Sequence, residues 1–285
     1  MQAVSDAGRL LAMSAEQEDR RERAFQFDLF VSTDWAERFD AIMAEHVELP
    51  EEGRLLEINC GTGDHVVAIA SSLKTGEVVG TDVDPERLKL ARAKALVAKS
   101  EKCTFVEADP RSLDFNENAF DCVVLDATLE PPDSLAALAS EALRVAAPTA
   151  SVAVKLPTRG SFDEFFSVLW EALHDVGIAD EVWARLEPIV TSRPGVQEAV
   201  DVLRSAGLRN ARPHASKEEW RFESARALLD SPLANFLFIE STFDLVPESR
   251  RASVVEALER IIDREIDGQY FTVSAKALVV AGRKS

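Results

Sequence analysis

Residues 55–64 read Leu-Leu-Glu-Ile-Asn-Cys-Gly-Thr-Gly-Asp. The apolar start predicts a buried strand, which ends near the acid Glu57 and leads through a tight loop into a helix. Gly61 and Gly63 let the backbone come close to a ligand, because neither carries a Cβ atom. The N-terminus of the next helix offers unpaired N–H groups to a carboxylate or a phosphate. This segment therefore predicts a nucleotide-type binding loop.

Two further predicted strands also end in acids. Val78-Val79-Gly80-Thr81-Asp82 places the Asp82 carboxylate about twenty residues beyond the loop, where an acid can accept both hydroxyls of a ribose. The competing interpretation is that Asp82 caps the next helix, but Asp84 is better placed for that. Asp109 ends the run that begins at Phe105, and its carboxylate could accept the amino group of adenine.

Strands and helices alternate on either side of this loop. The hydrophobic pattern predicts strands over 54–58, 77–81, 103–107, 120–125 and 151–156. Between them it predicts helices over 63–73, 85–98 and 132–145. Such alternation indicates right-handed crossovers and a parallel sheet covered on both faces. The expected fold class is α/β with a doubly wound, mostly parallel sheet.

The two ends of the chain have a different character. Residues before about Gln17 are expected to be frayed, and 20–46 are expected to form a helix. After Pro157 the pattern predicts helices over 162–173 and 196–205, strands over 208–214 and 271–281, and a helical insertion over 218–267. The alternating tail, 269–283, is expected to add an antiparallel strand at the end of the sheet.

Composition excludes several classes of protein. The chain has 285 residues, 46% of them hydrophobic, and a net charge of −18 from 50 acidic and 32 basic residues. Nucleic acids and anionic membranes require a cationic surface, so neither is an expected partner. The three cysteines, Cys60, Cys103 and Cys122, show no metal-binding spacing, and no run predicts a signal peptide or a membrane span. We expect a soluble, cytoplasmic protein.

At this point the chain resembles the class I S-adenosylmethionine-dependent methyltransferases, in particular their small-molecule group. Residues 57–63 resemble the first motif of the family, with Asn59 in place of its first glycine, and residues 80–82 resemble the ribose-binding segment. Residues 120–126 and 141–148 are similar to the fourth-strand motif and to the Pro-turn before the fifth strand. The resemblance covers 55–156 in order.

The family implies S-adenosylmethionine as cofactor, a small organic molecule as methyl acceptor and a seven-stranded sheet whose last strand inserts antiparallel. It also implies three parts of the chain: an N-terminal helical segment (1–50), a cofactor-binding core (51–160), and a part that completes the sheet and carries the lid insertion (161–285). The residues expected to bind the cofactor are Glu57, Asn59, Cys60, Gly61, Gly63, Asp82, Val83, Asp109, Pro110 and Asp126.

Two alternatives remain at this point. Asn59 adds a side chain where the family has glycine, although Asn tolerates a positive φ, and Pro110 has no N–H to offer adenine. These departures are compatible with a non-catalytic binding or scaffold protein that keeps the fold. A nicotinamide dehydrogenase is the third interpretation, but the loop lacks the third Gly or Ala of that fingerprint.

The acceptor side is less specific. Asp126, which follows the fourth strand with Thr128 and Glu130, could orient or deprotonate an acceptor, or could simply cap a turn. No metal site is expected on Asp126, and His65 is expected to be structural. The aromatic residues of the lid are expected to form the lid's own core rather than to line a pocket; they are Trp220, Phe222, Phe236, Phe238 and Phe243.

Overall fold

The computed structural model describes residues 17–266 and 269–285. The expectation of a frayed start concerns residues 1–16, which lie outside the described residues. Within the described ranges, no helix combines the length and the apolar character that a membrane crossing requires.

Seven strands form one sheet in the order β3-β2-β1-β4-β5-β7-β6. The first five strands are parallel, and β7 lies antiparallel between β5 and β6. Their bounds are β1 Glu52–Ile58, β2 Thr75–Asp82, β3 Cys103–Glu107, β4 Phe120–Asp126, β5 Ala146–Pro157, β6 Leu208–Phe222 and β7 Phe271–Lys284. The predicted doubly wound, seven-stranded α/β fold is confirmed.

Helices cover both faces of this sheet. Strand residues alternate between the faces, so that Leu56 and Val123 contact one group of helices and Leu55 and Cys122 contact another. The larger helices are α1 (residues 17–26), α2 Glu37–His46, α3 Asp64–Ser72, α4 Pro85–Val97, α5 Leu135–Val145, α6 Asp163–Val176, α7 Ala179–Thr191 and α8 Val196–Ser205. The lid insertion holds α9 Ala225–Leu229, α10 Pro232–Ala234, α11 Glu240–Phe243 and α12 Glu248–Ile266.

The start of α4 follows its local sequence. The Asp84 carboxylate accepts the N–H groups of Glu86 at 2.8 Å and of Arg87 at 3.4 Å, and Pro85 stands at the first helical position. This is the predicted N-cap. It leaves the Asp82 carboxylate available at the end of β2.

The N-terminal helix is not a regular α-helix throughout. Its middle, Phe27–Ala36, is a π-helix between α1 and α2. Phe27, Val31, Trp35 and Phe39 are all buried and are spaced four residues apart. Residues four apart lie on one face of a helix, so this spacing turns the apolar face of the segment toward the core.

Two expectations about the C-terminal part were wrong, and one helix there was not expected. The strand β6 extends to Phe222, since Trp220 and Phe222 pair with Val273 and Phe271 of β7, so the helical insertion begins only at Ala225. The tail strand does not lie at the end of the sheet: β7 is interior, and the 15-residue β6 forms the edge. The helix α7 was not expected.

Candidate functional site

A cleft of about 670 Å³ opens where β1, β2 and β4 end. We call it the strand-end cleft. Sequence analysis expected ten residues to bind the cofactor, and seven of them line it: Glu57, Asn59, Cys60, Gly61, Asp82, Val83 and Asp126. The π-helix forms the opposite wall, with Phe27, Val31 and Trp35.

The loop after β1 takes left-handed backbone conformations at three positions. The φ angles are 61° at Asn59, 55° at Gly61 and 81° at Gly63. Asn59 tolerates this conformation, and its amide donates to the Asp126 carbonyl at 2.9 Å and to the Glu130 carboxylate at 3.0 Å. The side chain that departs from the family motif therefore ties the β1 loop to the β4 loop.

The two loop glycines have different functions. A Cβ atom on Gly61 would lie 2.8 Å from the Phe27 ring, so the π-helix rests directly on this loop. A Cβ atom on Gly63 would lie 2.7 Å from the Ala91 side chain and 2.9 Å from the Phe105 ring. Gly63 therefore allows α3 to pack against α4 and β3, and it does not line the cleft.

Asp82 is held at the floor of the cleft by backbone groups. One carboxylate oxygen accepts the Gly61 N–H and the other accepts the Asp84 N–H, both at 2.9 Å. Burial raises the pKa of this carboxyl, although Arg87, 3.7 Å away, opposes the shift. Each oxygen has one protein N–H partner and retains capacity for another donor, which is what two ribose hydroxyls would require.

Lys155 lies at the centre of a group of acids on the cleft wall. Its side chain is 1% exposed, and its ammonium lies 2.8 Å from Asp40, 3.1 Å from Glu57 and 3.2 Å from Asp126. His65 Nδ1 lies 2.9 Å from the same oxygen of Glu57. These five side chains, which we call the Lys155 cluster, join β5, α2, β1, β4 and α3.

The charges of the Lys155 cluster set its protonation. Burial alone would raise the pKa of Glu57, but His65 and Lys155 outweigh it and lower the pKa to about 2. Burial alone would lower the pKa of Lys155, but the three carboxylates raise it well above its usual value. Glu57 is therefore an anion and Lys155 a cation across the neutral range.

One atom of the cluster has no protein partner. Glu57 Oε2 is buried and makes no hydrogen bond with the described residues. A buried carboxylate oxygen without a donor is costly, so this atom is suited to an ammonium or hydroxyl group of a ligand. Asp40, Glu57 and His65 also offer ligand atoms within 4.8 Å of one another, as a cation site would. Here the Lys155 ammonium contacts two of these three groups.

Asp109 and Pro110 do not join the other predicted site residues. Asp109 is exposed, and its carboxylate accepts three hydrogen bonds from Arg111, two of them from the guanidinium. These hydrogen bonds lower the pKa of Asp109. Neither residue lines the strand-end cleft. An adenine contact through Asp109 stays a prediction.

Asp126 and Glu130 differ in their surroundings. Asp126 accepts the N–H and hydroxyl of Thr128, at 2.9 Å and 2.6 Å, on the oxygen that does not face Lys155. Both of its oxygens are thus engaged, and a catalytic function for Asp126 stays a prediction. Burial raises the pKa of Glu130, and the hydrogen bond from Asn59 only partly opposes this.

A second cavity of about 830 Å³ adjoins the first, and we call it the lid cavity. Trp35, Thr128, Leu129 and Glu130 line both cavities. Its remaining walls are mostly apolar and are formed by the segment after β4, the start of α5, the end of β5, Phe162, α7 and the lid. Phe236 lines this cavity, whereas Phe238 and Trp220 belong to the core, so the lid aromatics serve both purposes.

Sequence analysis missed Lys155, Asp40 and Arg87. A signal for Lys155 was present, since it interrupts the apolar run 152–156 of a doubly covered strand, where a lysine must be paired. Asp40 and Arg87 gave no such signal, because each lies among the other charged residues of a helix. His65 was expected to be structural, and its contact with Glu57 is compatible with that.

A profile of the methyltransferase-domain family matches residues 55–149. A curated relative, the demethylmenaquinone methyltransferase of Staphylococcus aureus, is 28% identical over 169 residues, which are 56% of this chain and 69% of that protein.

Two solved structures have the same fold. The YcgJ protein of Bacillus subtilis is 18% identical with a TM-score of 0.58, and the match covers 87% of this chain and 98% of that one. Phosphoethanolamine N-methyltransferase 2 of Haemonchus contortus, solved with phosphomonomethylethanolamine and S-adenosylhomocysteine, is 15% identical with a TM-score of 0.54. That match covers 92% of this chain and 57% of that one. The family match and the curated relative favour a methyltransferase over the dehydrogenase and scaffold alternatives.

Proposed function

We propose that this chain, which matches the methyltransferase-domain family over residues 55–149, is a class I S-adenosylmethionine-dependent methyltransferase that methylates a small organic acceptor where the strand-end cleft meets the lid cavity. The observation that carries the proposal is the meeting of two cavities, one acidic and lined by Gly61, the other mostly apolar. A two-substrate reaction needs two adjoining sites, and their shared wall is where the reacting atoms would meet.

The strand-end cleft suits the cofactor by its chemistry. When bound, S-adenosylmethionine supplies an electrophilic methyl group on a positively charged sulfur. Asp82 would accept the ribose hydroxyls, and Glu57 Oε2 would accept from the ammonium of the amino-acid part. The Gly61 loop would lie against that part without a side chain in the way.

Glu130 is the group we place at the acceptor. It lines both cavities, and its pKa is raised toward neutral pH, which suits a general base. Asp126 and Lys155 would hold the wall of the cleft in place. The aromatic side chains of Trp35 and Phe236 would exclude water from the acceptor.

The acceptor is proposed to be mostly apolar, because the lid cavity is. The name of the curated relative refers to a quinone, and that of the Haemonchus contortus enzyme refers to an amine. We assign neither acceptor to this chain. The proposal includes a cytoplasmic setting, supported by three cysteines that form no disulfide.

The first test is calorimetric titration with S-adenosylhomocysteine. We expect binding by the wild type, and a loss of about 30- to 150-fold in affinity in Asp82→Ala, since each charge-assisted hydrogen bond contributes roughly 1.5–3 kcal/mol. The matched control is Asp114→Ala, which removes an exposed carboxylate on the loop before β4. No binding by the wild type would contradict the proposed cofactor site, and equal affinities in the two variants would contradict the assignment of Asp82.

A further inference from the structure

One cation lines the lid cavity. Arg193 lies in the short segment between α7 and α8, and its guanidinium carbon is 5.2 Å from the centroid of the Phe162 ring. Arg193 belongs to the lid cavity and not to the strand-end cleft. The positive charge of the acceptor site therefore lies on a wall that the lid cavity does not share with the strand-end cleft.

No described residue forms a hydrogen bond or a salt bridge with the Arg193 guanidinium. Nearby arginines are different: Arg159 pairs with Glu198 at 2.6 Å, and Arg38 pairs with Asp34 at 2.6 Å and with Glu218 at 3.0 Å. Burial lowers the pKa of Arg193, and only Asp163 opposes this shift, through space. A guanidinium stays protonated in proteins, so this charge is partly desolvated without a matching anion.

The aromatic ring that Arg193 faces is fixed by its own packing. Phe162, which its guanidinium faces, is 1% exposed and has a φ angle of 67°, a conformation that costs a non-glycine residue free energy. Its ring also lies 5.9 Å from Trp35 and 4.7 Å from Phe238. The Phe162 ring is thus held by two other aromatic rings, and the guanidinium has a stable surface to lie on.

We propose that Arg193 binds an anionic group, a carboxylate or a phosphate, on the methyl acceptor, whose apolar body fills the lid cavity between Arg193 and Glu130. This inference rests on the proposed function and specifies its substrate class. A guanidinium offers two parallel N–H donors, the geometry that carboxylates and phosphates accept. Glu130 would repel the same anion, so the two residues set the direction in which the acceptor lies.

The test uses calorimetry on the full-length protein saturated with S-adenosylhomocysteine. The probes are decanoate, decyl phosphate and decanamide, which share an apolar chain and differ in the charge of the head. We expect at least one anion to bind roughly tenfold or more tighter than decanamide, as a charge-assisted contact implies. Preference for decanoate indicates a carboxylate on the acceptor, and preference for decyl phosphate indicates a phosphate.

The variants isolate the guanidinium. Arg193→Gln should reduce the ratio of anion affinity to decanamide affinity to about one. Arg193→Lys should keep part of this preference, because the charge remains but the two parallel N–H donors of the guanidinium are lost. The matched control, Arg209→Gln, removes an exposed arginine on β6 and should retain the full preference. S-adenosylhomocysteine affinity, measured first in each variant, shows whether it is folded.

Three results would overturn the inference: decanamide binding as tightly as both anions, no binding of either anion, or a preference that survives Arg193→Gln. Each of these can occur while S-adenosylhomocysteine still binds, in which case the proposed cofactor site stands. Loss of S-adenosylhomocysteine binding in the wild type would count against the proposed function itself.

Discussion

At the scale of single residues, Lys155 neutralises part of an acidic wall. Its ammonium contacts Asp40, Glu57 and Asp126, so removing it would leave three partly or fully buried carboxylates without their shared cation. Breaking a buried ion pair from one side costs about 3–5 kcal/mol. We expect Lys155→Met to lower the free energy of unfolding at pH 7 by about this amount, measured by urea unfolding.

The pH dependence of this variant should differ from that of the wild type. In the wild type the pKa of Glu57 is lowered to about 2, so its contribution to stability is present above its unfolded pKa and is lost only as the pH falls through about 2. In Lys155→Met, only His65 would oppose the burial of Glu57, so the pKa of Glu57 would rise and the folded state would bind protons more readily than in the wild type. The stability of the variant should then increase more than that of the wild type as the pH falls from 7 to 5.

Lys74→Met is the control for both measurements. Lys74 pairs with Glu51 at the surface, where both side chains are more than half exposed, and such a pair contributes about 0–1 kcal/mol. A Lys155→Met variant with the stability and pH profile of Lys74→Met would show that the cluster is not held together by its cation.

At the scale of elements, the π-helix is fastened to the cofactor loop. The Asp28 carboxylate accepts the Thr62 hydroxyl at 2.5 Å and contacts the Lys94 ammonium, while the Ser32 hydroxyl lies 2.8 Å from that of Thr62. Arg87 stacks on the Phe27 ring, 3.8 Å from its centroid. These contacts hold the helix over Gly61, and we expect entry of the cofactor to require a shift of this helix.

Weakening this fastening should have a local effect. We expect Asp28→Asn to speed amide hydrogen exchange within Phe27–Ala36 by roughly tenfold, a change of about 1.4 kcal/mol in local opening, and to leave the strands unchanged. S-adenosylhomocysteine should slow exchange in the same segment. Glu37→Gln, an exposed change in the next turn, should behave as the wild type. If Phe27–Ala36 exchanged at the same rate in the wild type, Asp28→Asn and Glu37→Gln, this segment would be excluded as the moving element.

The elements differ in how well the sequence predicts them. The β1 loop and the cap of α4 were predictable because their signals, glycines and Asp84 with Pro85, are local. The extension of β6 to Phe222 was not, because it depends on pairing with β7, which lies far along the chain. The helix α7 was not predicted, because Pro188 lies within it and proline is unfavourable in the interior of a helix.

The same distinction applies to the site. Glu57 and Asp82 lie at the ends of their strands and Gly61 follows β1, and all three were predicted from those strands. Lys155 and Asp40 are 115 positions apart in the chain and meet only when α2 crosses the sheet, which no local pattern expresses. Asp109 lies after β3 as expected and pairs with Arg111, and its contact with adenine stays a prediction.

At the scale of the whole molecule, one core unites the three predicted parts of the chain. Phe39, Val124 and Phe165 belong to the same buried cluster, although they come from 1–50, 51–160 and 161–285. The division at residues 50 and 160 stays a prediction about chain order. The strand-end cleft is lined by side chains from the first two parts, whereas the lid cavity is lined by side chains from all three.

The overall charge should act on the two forms of the cofactor differently. The chain carries a net charge of −18, and the strand-end cleft has six carboxylates against the two permanent cations Arg87 and Lys155. S-adenosylmethionine is a net cation near pH 7, whereas S-adenosylhomocysteine is neutral. The protein should therefore attract the methyl donor more strongly than the product, and added salt should screen this attraction.

Calorimetric titrations at low and high sodium chloride test this expectation. Between about 20 mM and 300 mM salt, the affinity for S-adenosylmethionine should fall several-fold, because the Debye length shortens to about 6 Å, while the affinity for S-adenosylhomocysteine should hardly change. The neutral ligand is the control within each protein sample. Equal salt dependence of the two ligands would remove electrostatic attraction as the source of any preference.

The position of β6 at the edge of the sheet has a consequence for self-association. A long edge strand exposes backbone donors and acceptors to which another chain could add, a common route to aggregation. Here the strand carries Pro213, which has no N–H, and the charged run Lys217-Glu218-Glu219, all unsuited to a neighbouring strand. The exposed edge of β6 thus disfavours fibril-like stacking, while its other edge pairs with β7 and completes the sheet.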